Sequence, residues 1–280
     1  MKFGVSMFPT DYGIDVTRYG RAVEERGFES VFFPEHTHIP VSRRSPWPGG
    51  PNLPEHYRHT LDPFAALAAV AAVTDRIRIG TGICLVVQRD PITLAKEVAT
   101  LDLLSGGRFL FGIGGGWNRE EMENHGTDPA RRFRVMRERV LAMETIWASE
   151  VAEFHGEFVD FDPIWQWPKP VQQPRPPVLV AGNGTGTIDR VLEYGDGWLP
   201  MPNRGPVSLA DGMAQLRRRA EEVGRATPPV TVFGIDSDPV AIEGFIAAGV
   251  ERCLFRLSSG SEDEVLSELD EQAKLITRFS

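Results

Sequence analysis

Residues 77–118 read IRIGTGICLVVQRDPITLAKEVATLDLLSGGRFLFGIGGGWN. Ile77 to Val87 is an apolar run of strand type, and Arg108 to Ile113 is a second. Between them Asp90-Pro91 opens a helix over about 93–104. The Asp side chain supplies an N-cap oxygen, and Pro fits the first helical position, where a missing N–H costs nothing. The order strand, helix, strand implies a parallel pair.

Working outward, the alternation continues in both directions. Further strands are expected at Phe3 to Phe8, Ser30 to Phe33, Pro177 to Ala181, Gly197 to Leu199, Val230 to Ile235 and Arg252 to Leu257. Further helices are expected from about Asp15, from Asp62-Pro63 through Val73, and near 130–148, 186–194, 207–224, 239–248 and 262–278. The Asp-Pro signal recurs at Asp62-Pro63, Asp128-Pro129 and Asp238-Pro239. Eight strands and eight helices in 280 residues fit a (β/α)8 TIM-type barrel better than an open doubly wound sheet. We expect one domain over residues 1–280, with long loops at about 36–61 and 149–176. The first loop follows strand 2 and so lies on the C-terminal face, where barrel enzymes keep their chemistry. The second follows a helix, so its base lies on the opposite face, where packing or oligomerisation is the easier role.

Composition narrows the function. Lys plus Arg is 30 and Asp plus Glu is 39, a net charge of −9. That balance argues against bulk binding of nucleic acid or anionic membrane. Cys84 and Cys253 sit in apolar runs and form no CxxC pair, so buried thiols are expected rather than a disulfide framework. The start, MKFGVSMFP, lacks the hydrophobic region of a signal peptide. The longest apolar run, Phe64 to Val73, is too short to span a bilayer. A soluble cytoplasmic protein is expected.

Candidate chemistry lies at strand ends. Strand 2 runs into Pro34-Glu35-His36-Thr37-His38, where an imidazole beside a carboxylate can move protons near neutral pH. A metal reading on Glu35, His36 and His38 is weaker, because no second His or Asp cluster appears at another strand end. Strand 4 runs into Gly114-Gly115-Gly116-Trp117-Asn118, which allows close backbone approach to a flat or anionic group; a tight turn with a packed Trp is the plainer reading. Strand 5 runs into Ala181-Gly182-Asn183-Gly184-Thr185-Gly186 ahead of a helix, the arrangement that binds an anion at backbone N–H groups; the plainer reading is a turn with Thr185 as N-cap. The glycines of Ile79-Gly80-Thr81-Gly82-Ile83 mark a bulge, a bend or close ligand approach. No GxSxG elbow is present.

These residues together carry a resemblance. SVFFPEHTHIP, IRIGTGICLVVQRDP, LAKEVATLDLLSGGRFLFGIGGGWNREE, PKPVQQPRPPVLVAGNG and GDGW resemble the luciferase-like monooxygenase superfamily, specifically its deazaflavin (coenzyme F420)-dependent oxidoreductases of actinobacterial type. The resemblance implies a TIM-like barrel with a cofactor across its C-terminal face and, commonly, a homodimer or higher homo-oligomer. It implies catalytic roles for His36 and Glu35, with Glu35 orienting His36 as proton donor or acceptor. It implies a non-prolyl cis peptide at Gly82-Ile83 beneath the deazaflavin, next to Thr81, and a cofactor-phosphate loop over Ala181, Gly182, Asn183, Gly184 and Thr185. Gly115, Gly116 and Trp117 complete the cofactor set, and no metal is implied. One departure stands out: the sugar phosphate dehydrogenases of this group place a catalytic Glu where this chain has Trp117. Glu120 or Glu121, one turn on, are the substitutes to look for.

The leading expectation is hydride transfer between F420 and a small organic substrate. The alternatives are an FMN-dependent monooxygenase using reduced flavin and oxygen, and a non-catalytic deazaflavin-binding protein. A metal hydrolase on Glu35, His36 and His38 comes last. The substrate pocket is expected to draw on the 37–61 loop with Trp47, and on Trp117 and Trp198. An acidic protein must also meet an anionic cofactor tail locally, and Arg43, Arg44 and Arg89 are the cations expected to do so.

Overall fold

Strands of a parallel sheet that are covered on both faces carry near-continuous apolar runs, and the eight parallel strands of this chain are buried along almost their whole length. The structure is a computed structural model that describes residues 1–202 and 204–279. Its elements, in chain order, begin with β1 (Lys2–Ser6), α1 (Val16–Glu25), β2 (Ser30–Phe33), the short α2 (His56–His59) and α3 (Pro63–Ala71). Next come β3 (Arg78–Thr81), α4 (Pro91–Leu104), β4 (Phe109–Ile113), α5 (Arg119–Asn124) and α6 (Arg132–Ala148). The hairpin β5 (Val151–His155) and β6 (Asp160–Trp165) precedes β7 (Val178–Ala181), α7 (Thr187–Tyr194), β8 (Gly197–Leu199) and α8 (Leu209–Glu222). The chain finishes with β9 (Thr231–Ile235), α9 (Pro239–Ala248), β10 (Arg252–Arg256) and α10 (Glu262–Ile276).

Eight strands pair in parallel in the order β8-β7-β4-β3-β2-β1-β10-β9. A single parallel bridge, Trp198 to Val230, joins β8 to β9 and closes the barrel. All eight expected barrel strands and their helices are present. Inside the barrel, Phe32, Leu110, Leu179, Leu199 and Leu254 form a small inner core. Large and small residues alternate there: a Cβ on Gly80 would stand 2.5 Å from the Phe32 ring. The larger core lies between the strands and the surrounding helices. Among the described residues, no helix is long and apolar enough to cross a membrane. Cys84 and Cys253 are both buried and free.

Three expectations about local structure need correction. Strand 3 stops at Thr81 rather than Val87. The Gly82–Ile83 peptide is cis, and a 3-10 turn follows at Val86–Gln88. Beyond the bend the Leu85 N–H leaves the ladder for the Glu35 carboxylate, a partner fifty residues away that local pattern cannot reveal. The 149–176 stretch contains the β5–β6 hairpin. Its tip is held by Glu138 of α6, whose carboxylate accepts the N–H groups of Glu157, Phe158 and Val159. Finally, Asp62, Asp90 and Asp238 cap helices as expected, but Asp128 does not. It closes a turn onto Ala130 and Arg131, and α6 begins after it.

Candidate active site

β2 delivers Glu35 and His36 to the C-terminal face, buried to 3% and 8% exposure. Consecutive side chains leave an extended chain on opposite sides, and these two diverge. Glu35 accepts the Leu85 N–H at 2.5 Å and the Arg89 Nε–H at 2.6 Å. Arg89 also binds Glu97 at 2.9 Å, and Asp62. Burial disfavours the Arg89 charge, but Glu35 and Asp62 outweigh it and hold the guanidinium charged. Glu35 is thus committed to shaping the turn after β3. It does not orient His36, contrary to the sequence expectation.

The acid that does so is Glu121. Its Oε2 lies 2.8 Å from His36 Nδ1. On the other side of the ring, Trp117 Nε1 lies 3.3 Å from His36 Nε2. An indole N–H can only donate, so Nε2 carries the lone pair. The ring proton is therefore on Nδ1, where it donates to Glu121. Glu121 is 1% exposed, and its second oxygen, Oε1, has no partner among the described residues. The imidazole also packs beside Tyr57 and edge-on to Trp117, with ring centroids 5.1 and 5.7 Å away. Trp117 stands where it can press on this ring because Gly116 before it takes φ +71°, which favours glycine.

Glu120, the neighbour of Glu121, points to the opposite side. It accepts from the Ser42 hydroxyl at 3.1 Å, the Ser45 N–H at 2.9 Å and the Ser45 hydroxyl, docking the long loop onto α5. Burial pushes its carboxyl up, but the bonds from Ser45 and Ser42 prevail and hold it down to about 2. A carboxyl depressed in the folded state contributes stability above its unfolded pKa and loses it as pH falls through the folded one. We predict that the loop stays docked at neutral pH and loosens as pH falls from about 4.5 towards 2. Glu120→Gln should loosen it at neutral pH. Hydrogen exchange at the Ser45 amide reads both; unchanged protection in the variant would contradict the assignment.

At the end of β3, where the Gly82 N–H still donates to the Phe33 carbonyl of β2 at 2.8 Å, the bend at Gly82-Ile83 forms a shelf. Its packing requires glycine on both sides: a Cβ on Gly82 would meet the Phe233 ring at 2.4 Å, and one on Gly114 would meet Ile83 at 2.0 Å. Thr81 locks the shelf to β4 by donating to the Gly112 carbonyl at 2.7 Å. Further along, Gly182 takes φ +120° and leads through Gly184 and Thr185, both exposed, into α7. Ala181 packs on the inner core. Asn183 ties the loop to the segment after β8, with Oδ1 accepting the Met201 N–H at 3.0 Å. Thr185 is not the N-cap; that position is Gly186, and the Thr187 hydroxyl accepts the Gly184 N–H instead.

Sequence reasoning missed the cations here. Arg132 and Arg190 stack on the Phe133 ring at 4.4 and 3.9 Å. Phe133 in turn approaches the Gly115 position, where a Cβ would stand 3.0 Å from it. Both guanidinium groups have a buried Nε without a hydrogen-bond partner. Neither they nor Arg119 forms an ion pair among the described residues. Burial, with repulsion from neighbouring arginines, lowers the pKa of both. Of the expected tail cations, Arg44 pairs with Glu123 at 3.0 Å and Arg89 serves Glu35, whereas Arg43 forms no ion pair among the described residues and its Nη1 has no hydrogen-bond partner. Arg43 lies over the Trp117 ring at 6.0 Å. Trp198 is also not in the pocket. It is 1% exposed, and its indole donates to the Gly182 carbonyl at 2.8 Å. His38 bonds Thr37 and Asn124 rather than converging with His36. Among the described residues, no group of three or more His, Cys, Asp and Glu could hold a metal ion.

Comparisons with known proteins give the setting for this geometry. The family model described as luciferase-like monooxygenase matches residues 1–235. An uncharacterized protein of Mycobacterium tuberculosis is 39% identical over 278 residues, covering 98% of both chains. The monooxygenase RslO1 from Streptomyces bottropensis superposes with a TM-score of 0.85 at 21% identity, covering 100% of both chains. An F420-dependent secondary alcohol dehydrogenase, solved with an F420-acetone adduct, superposes at 0.79 with 18% identity, covering 99% of this chain and 98% of that one.

Proposed function

The chain belongs to the luciferase-like monooxygenase family, and on that premise we propose that it is an F420-dependent oxidoreductase acting on a small organic substrate. The observation that carries the choice of cofactor is the cation group of Arg132 and Arg190 on the Phe133 ring beside two glycine loops, with Arg119 close enough to repel the Arg132 charge, none of the three in an ion pair among the described residues. One phosphate can be met by backbone N–H groups at a helix N-terminus. Three arginines without carboxylate partners suit a ligand carrying several negative charges, as F420 does with its phosphate and glutamyl tail. The residues fit the group: the orphaned Nε atoms supply donors, and the bend at Gly82-Ile83 lies at the C-terminal end of β3, next to the strand that carries His36.

When bound, the deazaflavin would supply hydride donation or acceptance at C5. The protein's own part is the proton. His36 Nε2 is the ring atom that can take a proton from a substrate hydroxyl, or return one to a nascent alkoxide, once the Trp117 indole gives up its hydrogen bond. Glu121 keeps the other ring proton on Nδ1 and stabilises the imidazolium that forms, as a buried carboxylate does for a catalytic histidine. Tyr57, Phe8 and Trp117 screen the ring from water.

The cations make a testable prediction. Arg190→Gln should weaken F420 binding by about tenfold, as expected for loss of a charge-assisted contact. F420 affinity in the wild type should fall steeply with salt, because it depends on several exposed or half-exposed charges. Fluorescence titration of the deazaflavin checks both. Salt-independent binding would place the tail in solvent. The fold likeness to a monooxygenase favours a second reading, an FMN-dependent enzyme that activates oxygen. Saturable FMN binding with no F420 binding, and oxygen consumption with reduced FMN, would select it.

A further inference from the structure

A cavity of about 720 Å³ opens on the C-terminal face, bounded by the long loop, the ends of β1, β9 and β10, and α10. One wall is aromatic. Phe8 stacks on His56 at 4.6 Å and packs on Tyr57 at 4.7 Å, and Tyr57 leads on to His36 at 5.1 Å and Trp47 at 5.8 Å. Opposite stands Arg256. On β10 the inward side alternates Arg252, Leu254, Arg256, and Leu254 belongs to the inner core. Arg256 is therefore the last inward residue of its strand and projects at the barrel mouth.

The two arginines of β10 have opposite circumstances. Arg252, at the other end of the barrel, is 4% exposed and grips Glu29 with two bonds of 2.7 Å. Arg256 is exposed to the cavity. Its Nη2 donates to the Gly234 carbonyl at 2.8 Å, and no carboxylate among the described residues lies within ion-pair reach. Gly234, at φ +71°, keeps the space beside the guanidinium open; a Cβ there would stand 3.5 Å from it. The cavity's acids are placed elsewhere. Glu268 accepts the Ser258 N–H at 2.8 Å, and Asp236 and Glu271 are exposed residues of its lining. A second cation, Arg204, lines the same cavity.

We propose that the substrate is an organic anion with a flat apolar body, an aromatic or alicyclic carboxylate, whose ring lies on the Phe8–Tyr57 wall and whose carboxylate is held by Arg256. The guanidinium fork matches a carboxylate with two parallel N–H···O bonds. The aromatic wall accounts for the rest of the ligand through stacking and burial. Binding at Arg256 fixes the far end of the molecule and presents its reacting carbon towards His36 beyond Tyr57. This substrate class rests on the cavity being the substrate side of the site proposed above.

The test is equilibrium binding of benzoate and of its neutral isostere benzamide, by calorimetry, with and without saturating F420. Benzoate should bind at least about tenfold more tightly than benzamide. Arg256→Met should abolish the difference by weakening benzoate alone, and Arg256→Lys should restore part of it. Equal binding of the two probes to the wild type, no benzoate binding in the millimolar range, or an unchanged preference in Arg256→Met would each overturn the inference. F420 titration of the same variants separates this from the cofactor assignment. F420 binding by a wild-type protein that shows no preference for benzoate defeats only the substrate class. Benzoate selectivity in a protein that ignores F420 defeats only the cofactor.

Discussion

His36→Ala folds normally and loses most of its turnover, by about 10²- to 10⁴-fold in kcat, the range that a positioned proton-transfer group supplies. The fold survives because the ring is held by side chains at the barrel mouth and not by the core. Glu121→Gln should fall in the same direction by a smaller factor. A neutral amide can still accept the Nδ1–H, but it no longer stabilises the imidazolium. The two variants are separated by a readout independent of turnover. Nitrogen NMR of the wild-type imidazole should show the proton on Nδ1 at neutral pH, since Trp117 donates to Nε2 at 3.3 Å. Trp117→Phe removes that donor and should raise the population with the proton on Nε2. Full activity in His36→Ala, or an Nε2-protonated wild-type ring, would contradict the proton-transfer role.

The second large effect is on stability. Gly112→Ala should destabilise the barrel by about 3 kcal/mol or more, since added volume in a packed core forces the backbone to shift. A Cβ at this position would stand 2.0 Å from the Thr81 carbonyl oxygen, which is backbone and cannot rotate away. The Gly112 carbonyl also accepts from the Thr81 hydroxyl and the Cys84 N–H at 2.7 and 2.8 Å, so β3 and β4 are tied there. For a chain of this size the expected fall in Tm is roughly 6–12 °C. Gly244→Ala is the contrasting control. It lies within α9, has ordinary φ, and has nothing within 4 Å of its added Cβ. It should raise stability by up to about 1 kcal/mol through helix propensity. Scanning calorimetry of the pair decides; equal Tm values would show that the β3–β4 contact is looser than described.

The barrel was legible because its signals are local. Apolar runs mark the buried strands, and three of four Asp-Pro pairs cap helices through the bond they imply. Where a distant residue decides the local conformation, the sequence was silent. The end of β3 depends on Glu35, and the β5–β6 hairpin depends on Glu138, a residue of the preceding helix. The site divides the same way. His36 stands out by its place at a strand end, and the Trp117 departure pointed one turn on to Glu120 or Glu121, of which only the fold shows that Glu121 reaches the ring. Glu35 misled because adjacency in sequence puts side chains on opposite sides of an extended chain. Arg132 and Arg190 gave no signal beyond two more charges on helices. Only the fold brings them to the same phenylalanine. They also resolve the problem of net charge: a chain at −9 can still hold an anion where three cations stand unpaired.

We propose that the C-terminal face binds a deazaflavin carrying several negative charges. The direct test is parallel equilibrium titration of the purified protein with F420 and with FMN. Saturable F420 binding is expected, at least about tenfold tighter than FMN and weakened by Arg190→Gln. Saturable FMN binding with no F420 binding would contradict it.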